Sequence, residues 1–410
     1  MRVRALAAAV CAAGLVLTAV SSDAHGQASP RTPESAKAAQ SASGVTGVRD
    51  GEPRLPTVSR PLMPEPIGVR ESVDKLLSDG GETVQRFHYP GAEYVKVHFS
   101  RLDLLPGERV TVADPDGTEV HTYRSEGAGT WAMSITGDTA VVRLESEVAK
   151  LSGLPVPNLA YYGAQIDQVT HGFTPEDRPP AGPGSEESTC GRDDKRPAVC
   201  YESSYPTEYA HSRPVARLLI NGNALCTAWR IGPHNRMITN HHCFSSAHEA
   251  RNTEVWFNYE CTTCTARATN PVTKVMGDDV LATDRGLDYT LFTVADFESI
   301  SEYGYLELDN RQAHGGEAVY VPQHPGGEPK QLAIESDTGS RGACEIDDPA
   351  YDGYFSDSDA SYYCDTAPGS SGSPVLSRDT DKVIALHHFG GCPNSGVRAD
   401  LLYHEISNKL

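Results

Sequence analysis

Three short stretches of this chain carry side chains that could form and activate a nucleophile. They read Thr239-Asn240-His241-His242-Cys243, Leu287-Asp288-Tyr289-Thr290-Leu291 and Gly369-Ser370-Ser371-Gly372-Ser373-Pro374. A serine hydroxyl is a weak nucleophile until a base takes its proton. A histidine can be that base near neutral pH, and a carboxylate can hold its imidazole in the right tautomer. In the order His, Asp, Ser the stretches point to acyl transfer. Ser371 would attack a carbonyl, the histidine would take its proton and return it to the leaving group, and Asp288 would orient the imidazole. Gly369 suits a sharp turn that aims its own N–H and that of Ser371 at a developing oxyanion. Each stretch alone has a plainer reading: a flexible loop, a metal-site fragment, a turn or cap. Their joint occurrence beside strand-like runs favours catalysis. The separations, 46 residues from His242 to Asp288 and 83 from Asp288 to Ser371, suit two packed β-barrels.

These motifs, together with Ala224-Leu225-Cys226-Thr227-Ala228-Trp229 and Ala385-Leu386-His387-His388-Phe389-Gly390-Gly391, resemble the trypsin/chymotrypsin superfamily. Within it, the bacterial lysyl endopeptidases and staphylococcal-type glutamyl endopeptidases look most similar. The resemblance runs from about Cys190 to the C-terminus. It implies an all-β fold of two six-stranded antiparallel barrels with a C-terminal helix, and a secreted serine endopeptidase. It names His242, not His241, as the base, because His242 directly precedes the cysteine of a bracing Cys226–Cys243 disulfide. It also implies Cys190–Cys392 and Cys200–Cys264. A fourth bridge, Cys344–Cys364, is inferred from proximity in sequence, which leaves Cys261 over; sequence alone does not fix connectivity.

Specificity has two readings. Asp365, six residues before Ser371, resembles the charged floor of the trypsin primary pocket and would select Arg or Lys. Its plainer reading is one more solvated acid near Asp357 and Asp359. Thr366 and His388 resemble the Glu-binding pair of glutamyl endopeptidases, which gives the alternative. Phe389 stands where the family usually has Trp on the strand lining the substrate, and Gly390 and Gly391 leave the pocket mouth open. Ser370 stands where animal trypsins carry the Asp that binds a freed N-terminus, so that switch is expected to be absent. Asp400, near the lysine-binding Asp of lysyl endopeptidases, reads as a helix cap. A rival of another class is an inactive peptide-binding homologue; the complete motif set argues against it.

The elements that must position these residues need less than the whole chain. Its 410 residues exceed one pair of barrels. Met1-Arg2-Val3-Arg4, the apolar run Ala5 to Val20 and the small residues after it read as a signal peptide over 1–28. The run is short for a bilayer span, so a secreted, extracellular protein is expected. Export favours oxidised cysteine pairs. A net charge of −20 argues against nucleic acid or anionic membrane as partners. Protein or peptide substrates and a monomer are expected. Cys261-Thr262-Thr263-Cys264 has zinc-like spacing without a second such pair, so neither metal nor cofactor is expected.

Residues 29–81 read as a low-complexity leader. Over 82–173, period-two runs such as Tyr94 to Phe99, Arg109 to Val112 and Ala140 to Leu144 predict a small β-sandwich, a pro-region or an accessory domain. The Pro-, Gly- and charge-rich stretch 174–189 reads as a linker. The protease domain is placed at 190–410, its last strands followed by a helix over Val397 to Leu410.

Overall fold

Strands with apolar residues on one side must bury that side against a second layer. The chain does this three times. The structure, a computed structural model, describes residues 62–125, 129–146, 162–173, 177, 189–266, 268–339 and 342–410. The expected signal peptide, residues 29–61 of the leader and nearly all of the linker lie outside the described residues.

Residues 68–172 supply two antiparallel sheets. One runs in the order Gly68–Leu77, Gly163–Gly172, Tyr94–Asp103, Thr130–Trp131, and the other Val84–His88, Thr139–Ser146, Glu108–Ala113, Val120–Tyr123. Val95, Val97 and Phe99 of the first meet Val110, Val112, Val142 and Leu144 of the second in one core. The sandwich thus begins at Gly68, inside the stretch read as leader. The segment Gly-Val-Arg-Glu-Ser-Val-Asp-Lys-Leu-Leu shows too little apolar alternation to announce itself, and its partner strand lies far along the chain.

The next six strands close on themselves. Ala224–Arg230 pairs with Val215–Ile220, followed by Thr253–Phe257, Thr273–Asp284, Tyr289–Val294 and Met237–Thr239, which pairs back on Ala224–Arg230. A second ring runs through Gln331–Ala333, Val319–Gln323, Pro374–Ser377, Val383–Phe389, Asn394–Arg398 and Asp359–Tyr362. Bridges at Ala318–Glu345 and Ile346–Tyr362 link its ends. A shared core that includes Trp229, Leu291, Leu386 and Leu402 joins the barrels. Together they are the chymotrypsin fold, as expected. The helix is Ala399–Ile406 with Arg398 at its N-cap. Asp400 lies in its first turn and takes a bidentate ion pair from Arg398 (2.6 and 3.1 Å), so it is not the cap.

The sandwich packs on the first barrel through buried charge. Glu254, on a barrel strand, accepts from Lys96 Nζ, from the Ser134 amide and hydroxyl (2.9 and 2.7 Å) and from Trp256 Nε1 (2.8 Å). Lys274 of the barrel donates to Glu119 at 2.6 Å and to the Ser134 carbonyl at 2.9 Å. Arg217 lies fully buried against the rings of Trp256, Tyr259 and Tyr94. No helix among the described residues is long and apolar enough to cross a membrane.

Candidate active site

The cleft between the barrels is assembled by contacts that hold three chain segments together. Thr239, at the end of its strand, donates through its hydroxyl to the Thr227 carbonyl at 2.8 Å. The Thr227 amide donates to the Ser371 carbonyl, also at 2.8 Å. Gly372 has a φ of +88°, and a Cβ there would stand 2.1 Å from the Thr227 oxygen, so only glycine fits. Gly369, at φ +97°, is likewise wedged against Leu225 and the His324 carbonyl. Ser370 secures the turn by donating to Gln323 Oε1 at 2.5 Å. These contacts place the Ser371 loop beside the strand that ends at Thr239, three residues before His242.

Asp288 is buried at the start of the next strand, with a positive φ of 46°. Its Oδ1 accepts the backbone N–H of His242 at 3.0 Å, and its Oδ2 accepts His242 Nδ1–H at 2.8 Å. This leaves His242 Nε2 buried with no hydrogen-bond partner. Such an atom is costly unless something outside the resting structure uses it. Burial would raise the Asp288 pKa, but His242 and His388 outweigh it and hold the carboxyl well below the usual range.

His388 is placed differently from the sequence expectation. Its Nδ1 meets Asp288 Oδ2 at 3.2 Å and its Nε2 meets Asp359 Oδ2 at 2.7 Å. Tyr354 packs edge-on against its ring. Burial would depress its pKa, yet Asp359 and Asp288 raise it to about 9. Both ring nitrogens are therefore committed, and His388 is no substrate-binding partner of Thr366. It is instead a buried cation behind Asp288, with Asp359 anchored by Ser358 and Ser395. Asp359 and Tyr354 were missed because nothing in their local sequence marks them.

Asp365 also departs from expectation. It is 1% exposed, and its oxygens accept the backbone amides of Cys190 (2.8 Å) and Asp194 (2.7 Å). Burial raises its pKa despite these bonds. The carboxylate pins the start of the domain, each of its oxygens accepting one backbone amide. Thr366 and His387 are the neighbours with capacity to spare. Thr366 Oγ1 and His387 Nε2 are buried and unpartnered, while His387 Nδ1 bonds the Tyr362 hydroxyl at 2.6 Å. Phe389 packs against Tyr354 at 4.9 Å, and Gly390 follows it half-buried at the strand's end.

The sulfurs of Cys190 and Cys392, Cys200 and Cys264, and Cys226 and Cys243 are bonded. Cys344 and Cys364 are not; both are buried thiols in the second barrel's core, and Cys344 Sγ is turned to the Glu335 carbonyl at 3.5 Å. Cys261 is free and buried. Cys264, half of the zinc-like spacing, is held by Cys200.

The His388 arrangement carries a pH prediction. A histidine whose folded pKa exceeds its unfolded value stabilises fully below the unfolded value and loses that contribution as pH rises through the folded one. Stability should therefore decline between about pH 6.5 and about 9, by on the order of 3 kcal/mol for a buried shift of that size. Denaturant midpoints at the two ends would show it. His388→Asn should remove the slope, and an unchanged slope in that variant would contradict the assignment.

A family model described as "Trypsin-like peptidase domain" matches residues 226–386. A protein of Plasmopara viticola named secreted RxLR effector protein 73 is 32% identical over 77% of this chain and 79% of its own length. An uncharacterized protein of Sinorhizobium fredii, y4fB, is 30% identical over 40% of this chain and 25% of its own. Among solved structures, a Glu endopeptidase is 17% identical over 54% of this chain and 97% of that one, at a TM-score of 0.40. The active form of the Rv3671c protease from M. tuberculosis is 14% identical over 56% of this chain and 92% of that one, at 0.38. The chain carries a trypsin-like peptidase domain and belongs to one family with the P. viticola protein.

Proposed function

We propose that this chain is an exported serine endopeptidase in which Ser371 is the nucleophile, His242 the base and Asp288 the residue that orients it. The observation that carries this is the pair of bonds from Asp288 to His242, which fixes the imidazole and leaves its far nitrogen buried and unpartnered in the cleft. In the reaction Ser371 Oγ attacks the peptide carbonyl while His242 Nε2 takes its proton. The oxyanion would be met by the N–H groups of Gly369 and Ser371, and the leaving amine would receive the proton back. Water then repeats the sequence on the acyl-enzyme. Export is supported by the N-terminal apolar run and agrees with the word "secreted" in the name of the P. viticola relative. Fluorophosphonate labelling of the wild type, absent in a serine-free variant, tests the nucleophile.

The side chain before the cleaved bond is an acid in this reading. Asp365, the feature that favoured Arg or Lys, is buried and turned to the backbone amides of Cys190 and Asp194. Thr366 Oγ1 and His387 Nε2 remain, on the two segments that flank the Ser371 loop. Burial depresses the His387 pKa to about 3, so the ring is neutral, and in the tautomer whose Nδ1 accepts from the Tyr362 hydroxyl the proton sits on Nε2. A hydroxyl and a ring N–H of this kind suit a carboxylate. Cleavage of a peptide library should favour Glu. His387→Leu should lower kcat/KM for Glu substrates by about 2–5 kcal/mol, the scale for removing one partner of a buried charged contact. A dominant Arg or Lys preference would refute this reading.

A further inference from the structure

One segment lies on the cleft without any role in the proposed chemistry. Glu65–Pro66 adds to the edge of the first barrel as an antiparallel strand, Glu65 opposite Leu225 and Pro66 opposite Ala224. The Ile67 amide continues the contact, donating to the Asn223 carbonyl at 2.9 Å. Two residues further along the same barrel strand, the Thr227 amide holds the Ser371 carbonyl. The pairing ends at Glu65, and the same register continued upstream would set Met63 opposite Thr227, whose amide holds the Ser371 carbonyl. Leu62, Met63 and Pro64 line one cleft with His242, Asp288 and Tyr354.

The direction of this strand matters. From Met63 to Ile67 the chain runs away from Ser371, as the part of a peptide beyond a scissile bond would. Main-chain pairing at a sheet edge is a general way to hold an extended peptide. Its composition works against turnover. Pro64 has no N–H to add to the ladder, and its ring fixes the backbone there. Met63 is 76% exposed, so it leaves the sheet and does not fill a pocket. The far end is fastened. Ile67 packs with Tyr94, Leu219, Leu225 and Trp256, and its carbonyl accepts the Phe173 amide at 2.8 Å. Arg70 reaches the Asn221 carbonyl at 2.5 Å.

We propose that Leu62–Ile67 is a resident strap that fills the leaving-group side of the cleft in cis and competes with the residues of a substrate beyond its scissile bond. This rests on the reading of Ser371 and His242 as the reacting centre. A tethered segment competes at a high effective concentration, so free peptides with residues on that side are disfavoured until it moves. Substrates that end at the scissile bond do not meet it.

The test uses the full chain with Pro64→Gly, Glu65→Ser and Pro66→Gly combined, which weakens the pairing and leaves Ile67 in place. Two substrates share the same acyl residues; one is an anilide, the other a quenched peptide with four residues beyond the bond. The strap variant should raise kcat/KM for the extended peptide by about tenfold and leave the anilide unchanged. An unchanged ratio between the two would overturn the strap. A second measurement needs no turnover. In a Ser371→Ala background, a labelled Leu-Met-Pro-Glu-Pro-Ile peptide should bind the strap variant and not the intact strap, as read by anisotropy. Equal binding to both forms, or binding to neither, would overturn it. Absence of fluorophosphonate labelling in both forms would instead refute the peptidase reading, with the strap still judged by the binding experiment.

Discussion

Ser371→Ala is expected to lower kcat by about 10⁶-fold, the scale seen when a nucleophile that acts with its base as a unit is removed. Residual turnover of about 10³–10⁴ over water should persist, since the oxyanion donors and the binding surface remain. The fold should not suffer. The loop is held by backbone bonds and by Ser370, none of which uses the Ser371 hydroxyl: Thr227 N to Ser371 O, Gly372 N to His387 O, and Ser370 Oγ to Gln323. An unchanged denaturant midpoint alongside lost turnover is therefore the diagnostic pair. Turnover within about tenfold of wild type would remove Ser371 from the mechanism, because no effect that small fits an absent nucleophile. Asp288→Asn offers a graded comparison: it keeps the geometry but favours the wrong imidazole tautomer, which costs about 10⁴ in kcat.

What the sequence disclosed, and what it hid, follows from how local each determinant is. The order of the His, Asp and Ser motifs and the strands that flank them are short-range patterns, and they led to the fold and to the His242–Asp288 pair that the structure joins. Asp365 departs from the expected pocket floor for a long-range reason. Its fate is decided by amides of Cys190 and Asp194, more than 170 residues away, and no spacing near Ser371 records them. His387 and His388 show a different limit. Neighbours on a strand point to opposite faces, so a shift of one residue exchanges their roles. The pairing of Val383–Phe389 with Asn394–Arg398 carries a register irregularity between His387 and Phe389. That irregularity helps decide which histidine backs Asp288 and which faces away, and residue types do not encode it. Lys96 is a third case. Within Tyr94 to Phe99 it reads as a solvent-facing position, yet the barrel covers that face and leaves Lys96 at 0% exposure. Periodicity reports which face is polar; it does not report whether another domain lies against it.

That covered face gives the second large expected effect. Glu254→Gln should destabilise the docked chain by about 3–5 kcal/mol, because it removes the carboxylate and leaves a buried lysine without its partner. Lys96 loses its salt-bridge acid, while Lys274 keeps Glu119 at 2.6 Å as its charged partner, with the Ser134 carbonyl at 2.9 Å. Burial already lowers the Lys274 pKa, with Glu119 and Glu254 opposing it, so this site has little room for an added unpaired charge. An exposed pair makes the control. Arg109 and Glu145 are each more than two-fifths exposed, and Glu145→Gln should cost no more than about 1 kcal/mol. Acid should mimic the buried change. Burial would raise the Glu254 pKa, but Lys96 and Lys274 lower it; Glu119 is likewise lowered, against burial, to about 2. Carboxylates with depressed folded pKa values contribute fully above their unfolded value and lose that contribution as pH falls through the folded one. Docking should therefore hold at neutral pH and weaken from about pH 4 downward. Adding Lys96→Met to Glu254→Gln should recover part of the loss, since an apolar side chain of similar length removes the stranded cation. Unfolding followed by denaturant would separate these cases. A Glu254→Gln loss no larger than that of Glu145→Gln would mean that the sandwich is not held by this network, and that apolar contacts such as Tyr94 against Trp256 carry the interface instead.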